Sequence, residues 1–220
     1  MKNDDVFIAN EWQRRAAAEY YSAGKTTNFL HHLMLLGIDE EFLFDCNKIV
    51  RDEISHTSLS RSVLEKIPIN TEIEIQRQDL YSLDHSHKNH IWSLVDFTIQ
   101  FFCCGETIGQ FLFQRMLEGA NIPVVKKVLK VISKDESSHS NFGWKLISYL
   151  IEVYEIDDKN KLWSTLNRHL ATMKQSYAMS KKKNISSYCR GWGLIDPEEY
   201  RTISLNTIND LIIPRFQKLF

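Results

Sequence analysis

Residues 51–56 read Arg-Asp-Glu-Ile-Ser-His, and residues 134–139 read Lys-Asp-Glu-Ser-Ser-His. In each segment Glu and His stand at i and i+3. On a helix this spacing sets both side chains on one face, with Cβ atoms about 5–6 Å apart, close enough to reach one small volume. With 15 Glu and 8 His in 220 residues, about 0.5 Glu-x-x-His matches are expected by chance; requiring Asp before the Glu lowers that to about 0.03. Two copies are therefore a specific signal, and both segments read as helices that carry paired donor groups.

Working outward, the chain holds only four prolines and eight glycines, placed mostly between long periodic stretches, which favours an all-helical fold. A first helix is expected from about residue 7 to 35 and a second from about 39 to 67. Gly37 breaks between them, and Asp39 precedes Glu40 and Glu41, whose charges suit a helix N-terminus. A third helix is expected from about His90 to Gly119. Asn121-Ile-Pro123 forms the next turn, with Pro123 suited to a first helical position, and a fourth helix reaches about Tyr154. Two further helices are expected near 160–181 and 197–219. Short links make antiparallel hairpins of helices 1 and 2 and of helices 3 and 4. The roughly 20 residues from Pro68 to Asn89, with the alternating run Thr71–Gln76, can traverse a bundle in extended form. The expectation is one domain over residues 1–220: a core bundle at about 7–154 with one long crossover, and additional C-terminal helices at about 160–219.

The third helix adds a candidate. From Trp92 to Gln114 its only charged residues are Asp96 and Glu106. Burying an ionised carboxylate costs several kcal/mol unless a cation compensates it, and no Lys or Arg lies within two turns of Glu106 on this helix. Phe102, Cys103, Gly109, Gln110 and Phe113 are its neighbours at α-helical spacing. Hairpin geometry links the pieces: the midpoint of 106 and 136 is the turn residue Asn121. Reflecting Glu53 through the turn near residue 36 gives Glu19, beside Trp12, Ala16 and Ala23. Glu11 reflects to position 61, two turns beyond the ligand level, and is the weaker candidate.

The resulting set is Glu19, Glu53, His56, Glu106, Glu136 and His139. One Glu from each of two helices and Glu-x-x-His from each of two others resembles the ferritin-like non-haem di-iron carboxylate superfamily over roughly residues 7–154. The resemblance implies a four-helix bundle holding two iron ions, or a manganese–iron pair. Glu53 and Glu136 would be bridging or shared ligands, Glu19 and Glu106 terminal, and His56 and His139 on one metal each. Asp52 and Asp135 match the aspartate that, in the oxygenase branch, hydrogen-bonds a metal-bound imidazole. Carboxylate and imidazole donors without thiolate suit iron or manganese better than a structural zinc.

Within that superfamily, iron-storage ferritins usually lack a second complete Glu-x-x-His. Rubrerythrins carry a rubredoxin domain, which the cysteines at 46, 103, 104 and 189 do not encode, having no Cys-x-x-Cys. Aldehyde-deformylating oxygenases are similar in size and ligand order, and the tRNA-hydroxylase branch in size. Aminobenzoate-type N-oxygenases add a histidine one turn before the fourth-helix Glu, where this chain has Ile132. The expectation is a di-iron oxygenase or oxidase that uses dioxygen as co-substrate on a small organic substrate, by hydroxylation, desaturation, N-oxygenation or C–C cleavage. An external reductase or ferredoxin would supply electrons. The alternative is a ferroxidase or peroxide-scavenging iron protein with no organic substrate.

Other features discriminate less. Cys103, Thr107 and Gly109 flank Glu106 as weak substrate-pocket candidates, with helix packing equally expected. Tyr20 and Trp144 are candidate electron relays, although core packing is the default for aromatics. His85, His87 and His90 cluster in the crossover, where a solvated loop is favoured over a second metal site. Lys181-Lys-Lys183 is expected to be a solvated face, with docking of an acidic donor or carrier as the weaker reading. A net charge of −1 favours no nucleic-acid partner, and the sequence shows no membrane span or signal stretch, so a cytoplasmic protein is expected. The oligomeric state is open, a homodimer included. The four cysteines are expected to be free buried thiols.

Overall fold

The computed structural model describes residues 2–69, 75–76, 80, 90–178 and 184–219. Its regular elements among these residues are all helical: α1 (Lys2–Leu35), α2 (Glu40–Leu64), α3 (His90–Phe97), π1 (Thr98–Glu106), α4 (Thr107–Gly119), α5 (Pro123–Val153), α6 (Lys159–Ala178), α7 (Ser187–Gly191), α8 (Pro197–Thr207), π2 (Ile208–Ile212) and α9 (Ile213–Gln217). The all-α expectation holds. The alternating run at 71–76 falls mostly outside the described residues, as do His85, His87 and Lys181–Lys183. Three expectations are corrected. The third helix is not uniform, because nine residues ending at Glu106 wind as a π-helix. The last is broken by a second π segment, and the short α7 precedes it.

The residues group into two compact units. The first contains α1, α2, the end of α4 from Met116, α5 up to Ile132, and residues 185–194. Here α1 and α2 pack closely as a hairpin. Its turn is a Schellman closure: Gly37 takes φ +65°, its N–H donates to the Met34 carbonyl, and the Ile38 N–H donates to Leu33 at 3.2 Å. Ile38 then buries its side chain beneath the helix end. Asp39 occupies the N-cap of α2 without a side-chain capping bond, so Glu40 and Glu41 support that end through charge alone.

The buried positions of α1 include Ala9, Trp12, Ala16, Glu19, Ala23 and Thr26, and those of α2 include Cys46, Ile49, Glu53, His56, Ser60 and Val63. Both stripes alternate steps of three and four, the spacing of a knobs-into-holes seam. Glu19, Glu53 and His56 thus stand at core positions. Trp12 anchors the same unit from elsewhere in the chain, donating its indole N–H to the Trp192 carbonyl at 3.0 Å. The turn after α4 is fastened likewise: the Asn121 N–H donates to the Gly191 carbonyl at 3.0 Å.

The second unit contains residues 90–115, 133–178 and 195–219. Here π1 packs against α6 and π2. Phe97, Phe101, Phe102 and Phe142 form a chain of rings with centroids 4.9–5.8 Å apart. Asp96 pairs with Arg168 and lies 3.1 Å from His169 Nε2, joining α3 to α6. His169 is buried, and Asp96 is its partner. Arg115 pairs with Glu199 at 2.5 Å, joining α4 to α8. The buried stripe of α5 runs Val125, Leu129, Ile132, Glu136, His139, Gly143, Leu146 and Leu150, again in steps of three and four. Gly143 is required by close approach: a Cβ there would lie 2.3 Å from Phe102 Cβ and 3.0 Å from its backbone carbon. Neither chain can yield cheaply, so Gly143→Ala is expected to destabilise the protein by about 3 kcal/mol, measured as a lowered denaturation midpoint in urea.

Candidate metal-binding residues

In the first unit α1 supplies Glu19 while α2 supplies Glu53 and His56, all at most 6% exposed. His56 Nδ1 is 3.6 Å from Glu19 Oε2 and 3.7 Å from Glu53 Oε2. In the second unit π1 ends on Glu106, and α5 supplies Glu136 and His139, all at most 8% exposed. His139 Nδ1 is 3.8 Å from Glu106 Oε2. Within each triad the donor atoms lie inside 4.8 Å of one another. Donors bound about 2.1 Å from one octahedral ion sit about 3.0 Å apart when adjacent and about 4.2 Å when opposite, so each triad has the spacing of a shared cation. Glu11, the competitor of Glu19, instead pairs with Arg14 at the surface.

The backbone makes room for these groups. Gly109 faces Glu136, and a Cβ at 109 would come within 3.1 Å of Glu136 Oε2. The small residue flagged beside Glu106 therefore clears space for a carboxylate of α5. Thr107 is fully buried; its hydroxyl lies 2.7 Å from Ser140 Oγ and accepts from Trp144 Nε1 at 3.1 Å. That network, with Ser140 following His139 and Thr107 following Glu106, fixes the two helices beside the triad. Ser140 has no signature in the sequence pattern, because its role rests on the contact between α4 and α5. Cys103 is fully buried, and burial pushes its thiol well up. Trp144 is buried, with Arg215 stacked 4.8 Å from its ring. Tyr20 departs from the core expectation and is 40% exposed. Asp52 pairs with Lys48 at 2.5 Å, and Asp135 is half-buried beside Glu136. All four cysteines are free and buried.

Without a cation the first triad holds protons. Burial, helped by the Glu53 charge, pushes Glu19 up from 4.5 to about 8. Burial alone would depress His56, but the Glu19 and Glu53 carboxylates override it and raise it from 6.5 to about 10. Both groups bind protons more tightly folded than unfolded. Their contributions are therefore fullest at low pH and fade as pH rises, Glu19 over 4.5 to about 8 and His56 over 6.5 to about 10.

No family model, curated protein or solved structure matches this chain.

The thermal midpoint of the metal-free protein should fall as pH is raised from neutrality towards 10, and Glu19→Gln should flatten the part of that slope below about 8; calorimetry across buffers checks both. Gly109→Ala should displace the Glu136 carboxylate and weaken divalent-metal binding about 10-fold or more, read by metal titration, with a helical circular-dichroism spectrum unchanged.

Proposed function

We propose that Glu19, Glu53, His56, Glu106, Glu136 and His139 together hold two iron ions in a ferritin-like four-helix bundle, and that the protein is a di-iron oxygenase or oxidase acting on a small organic molecule. The observation that carries this reading is the duplicated triad. Two glutamates and one histidine are buried within 4.8 Å of one another in each unit, and each set includes one Glu-x-x-His. The sum of charges supports it as well: four carboxylates neutralise two divalent cations, which is what a low-dielectric interior requires. A manganese–iron pair satisfies the same donor set.

When bound, the metal pair supplies the electrons and the binding position for dioxygen. The chain's own residues do the rest. The carboxylates set the charge at the metals. The imidazoles complete the donor set, and Asp52 and Asp135 are placed by sequence to orient them. The apolar seam residues above and below, among them Ile49, Val63, Ile132 and Leu146, keep bulk water from the donors. A reductase or ferredoxin returns electrons.

Anaerobic titration with ferrous iron should saturate at two ions per chain, and Glu53→Ala and Glu106→Leu should each abolish stoichiometric binding. On admitting oxygen, the loaded protein should consume it without taking up further iron, and a reductant with an organic substrate should sustain turnover. Continued iron uptake with mineral formation would instead mark a ferroxidase, and no tight binding at all would remove the metal reading.

A further inference from the structure

Two exposed surfaces of the first unit match each other in charge and in register. At the tip of the α1–α2 hairpin Met34, Leu35 and Phe44 are 60%, 59% and 71% exposed. Singly scattered exposed apolar residues are ordinary; here three large ones fall near one hairpin end. They are rimmed by exposed Asp39, Glu40 and Glu41. On the first turns of α5, Lys126, Lys127 and Lys130 are exposed beside Val131, itself 38% exposed. No acidic residue occurs from Pro123 through Lys134, and these lysines make no ion pair among the described residues. Lysines near a helix N-terminus oppose its dipole, and Lys126 and Lys130 repel at i and i+4. Local stability therefore argues against the lysine row, whereas it explains Glu40 and Glu41 only in part, since it gives no reason for the exposed Phe44.

The registers agree. Glu40 and Glu41 are adjacent, with Phe44 one turn on; Lys126 and Lys127 are adjacent, with Lys130 and Val131 one turn on. Each stretch covers about 6–8 Å of helix axis. Laid together, the two acids meet the two lysines, and Phe44 meets Val131 and the aliphatic stem of Lys130.

We propose that a second copy of this chain docks here, the acidic apolar tip of each subunit on the lysine row of the other. Both surfaces belong to one compact unit, and in a two-fold pair each tip meets the partner's lysine row, so the contact is made twice. The pairing is independent of the metal reading, since it uses no candidate ligand.

Sedimentation velocity on the full chain tests it. A dimer is expected at low salt, dissociating as salt rises. Glu40→Lys with Glu41→Lys, or Lys126→Glu with Lys127→Glu, should each raise the dissociation constant at least about tenfold. Mixing the two variants should restore the dimer, because each then offers the charge the other lacks. Phe44→Ser should weaken association while leaving the helical spectrum unchanged. A monomer at every concentration in low salt would overturn the proposal, as would a dimer indifferent to both charge variants or a mixture that fails to re-associate.

Discussion

The cost of burying carboxylates is the constraint that organises this protein. Glu19, Glu53, Glu106 and Glu136 occupy seam positions that apolar residues would fill more stably. Asp96 shows what an ordinary solution looks like on the same helical run as Glu106. It stays partly in contact with solvent, and α6 brings Arg168 and His169 to it; burial pulls it up, but the His169 hydrogen bond and the Arg168 charge hold it below its usual range. Glu106 is more deeply buried and receives an imidazole instead. One imidazolium balances only one of the two carboxylates beside it. The first triad accordingly retains protons, and those protons are what a metal ion displaces on binding.

The local backbone reflects the same demand. The π segment, with its i to i+5 spacing, changes the angular position of every residue after it and delivers Glu106 as its final residue. Gly109 then thins the helix where the Glu136 carboxylate lies, and Gly143 thins α5 where it meets Phe102. Each departure from ideal helix costs stability in isolation: fewer favourable hydrogen bonds in the π turn, more backbone entropy at each glycine. They coincide with the positions that carry the triad, not with the surface, which is the pattern expected when donor placement constrains the fold.

Much of this was legible in the sequence because it rests on periodicity. Steps of three and four placed Glu53 with His56 and Glu136 with His139, and reflection through the Gly37 turn identified Glu19 over Glu11. That reflection works because a Schellman closure fixes how two helices return on each other. The π segment was not legible. Apolar residues occupy nearly every position from Phe97 to Cys104, so a shift of one residue leaves the hydrophobic pattern unchanged. The partner of His169 was missed because it depends on how α6 meets α3, a tertiary choice between elements far apart in sequence. The exposure of Tyr20 was not legible because core packing is the default for an aromatic residue; adjacent helical residues differ by about 100° in direction, and here Glu19 takes the buried one.

The thiols beside Glu106 help to decide what kind of site this donor set makes. Cys103 and Cys104 immediately precede the Gly-Glu step, and a thiolate there would turn the chemistry towards softer metals. Burial keeps both protonated: Cys104 is pushed up to about 12, and Cys103 is raised well above its ordinary value even with Arg215 nearby. Metal binding does not reverse this unless a thiol sulfur reaches the ion, and neither cysteine belongs to the groups of donors that lie within reach of one another. The donors that remain are hard carboxylate oxygens and borderline imidazole nitrogens. Those suit a hard or borderline divalent cation, and they leave the two cysteines as buried packing groups in an apolar wall.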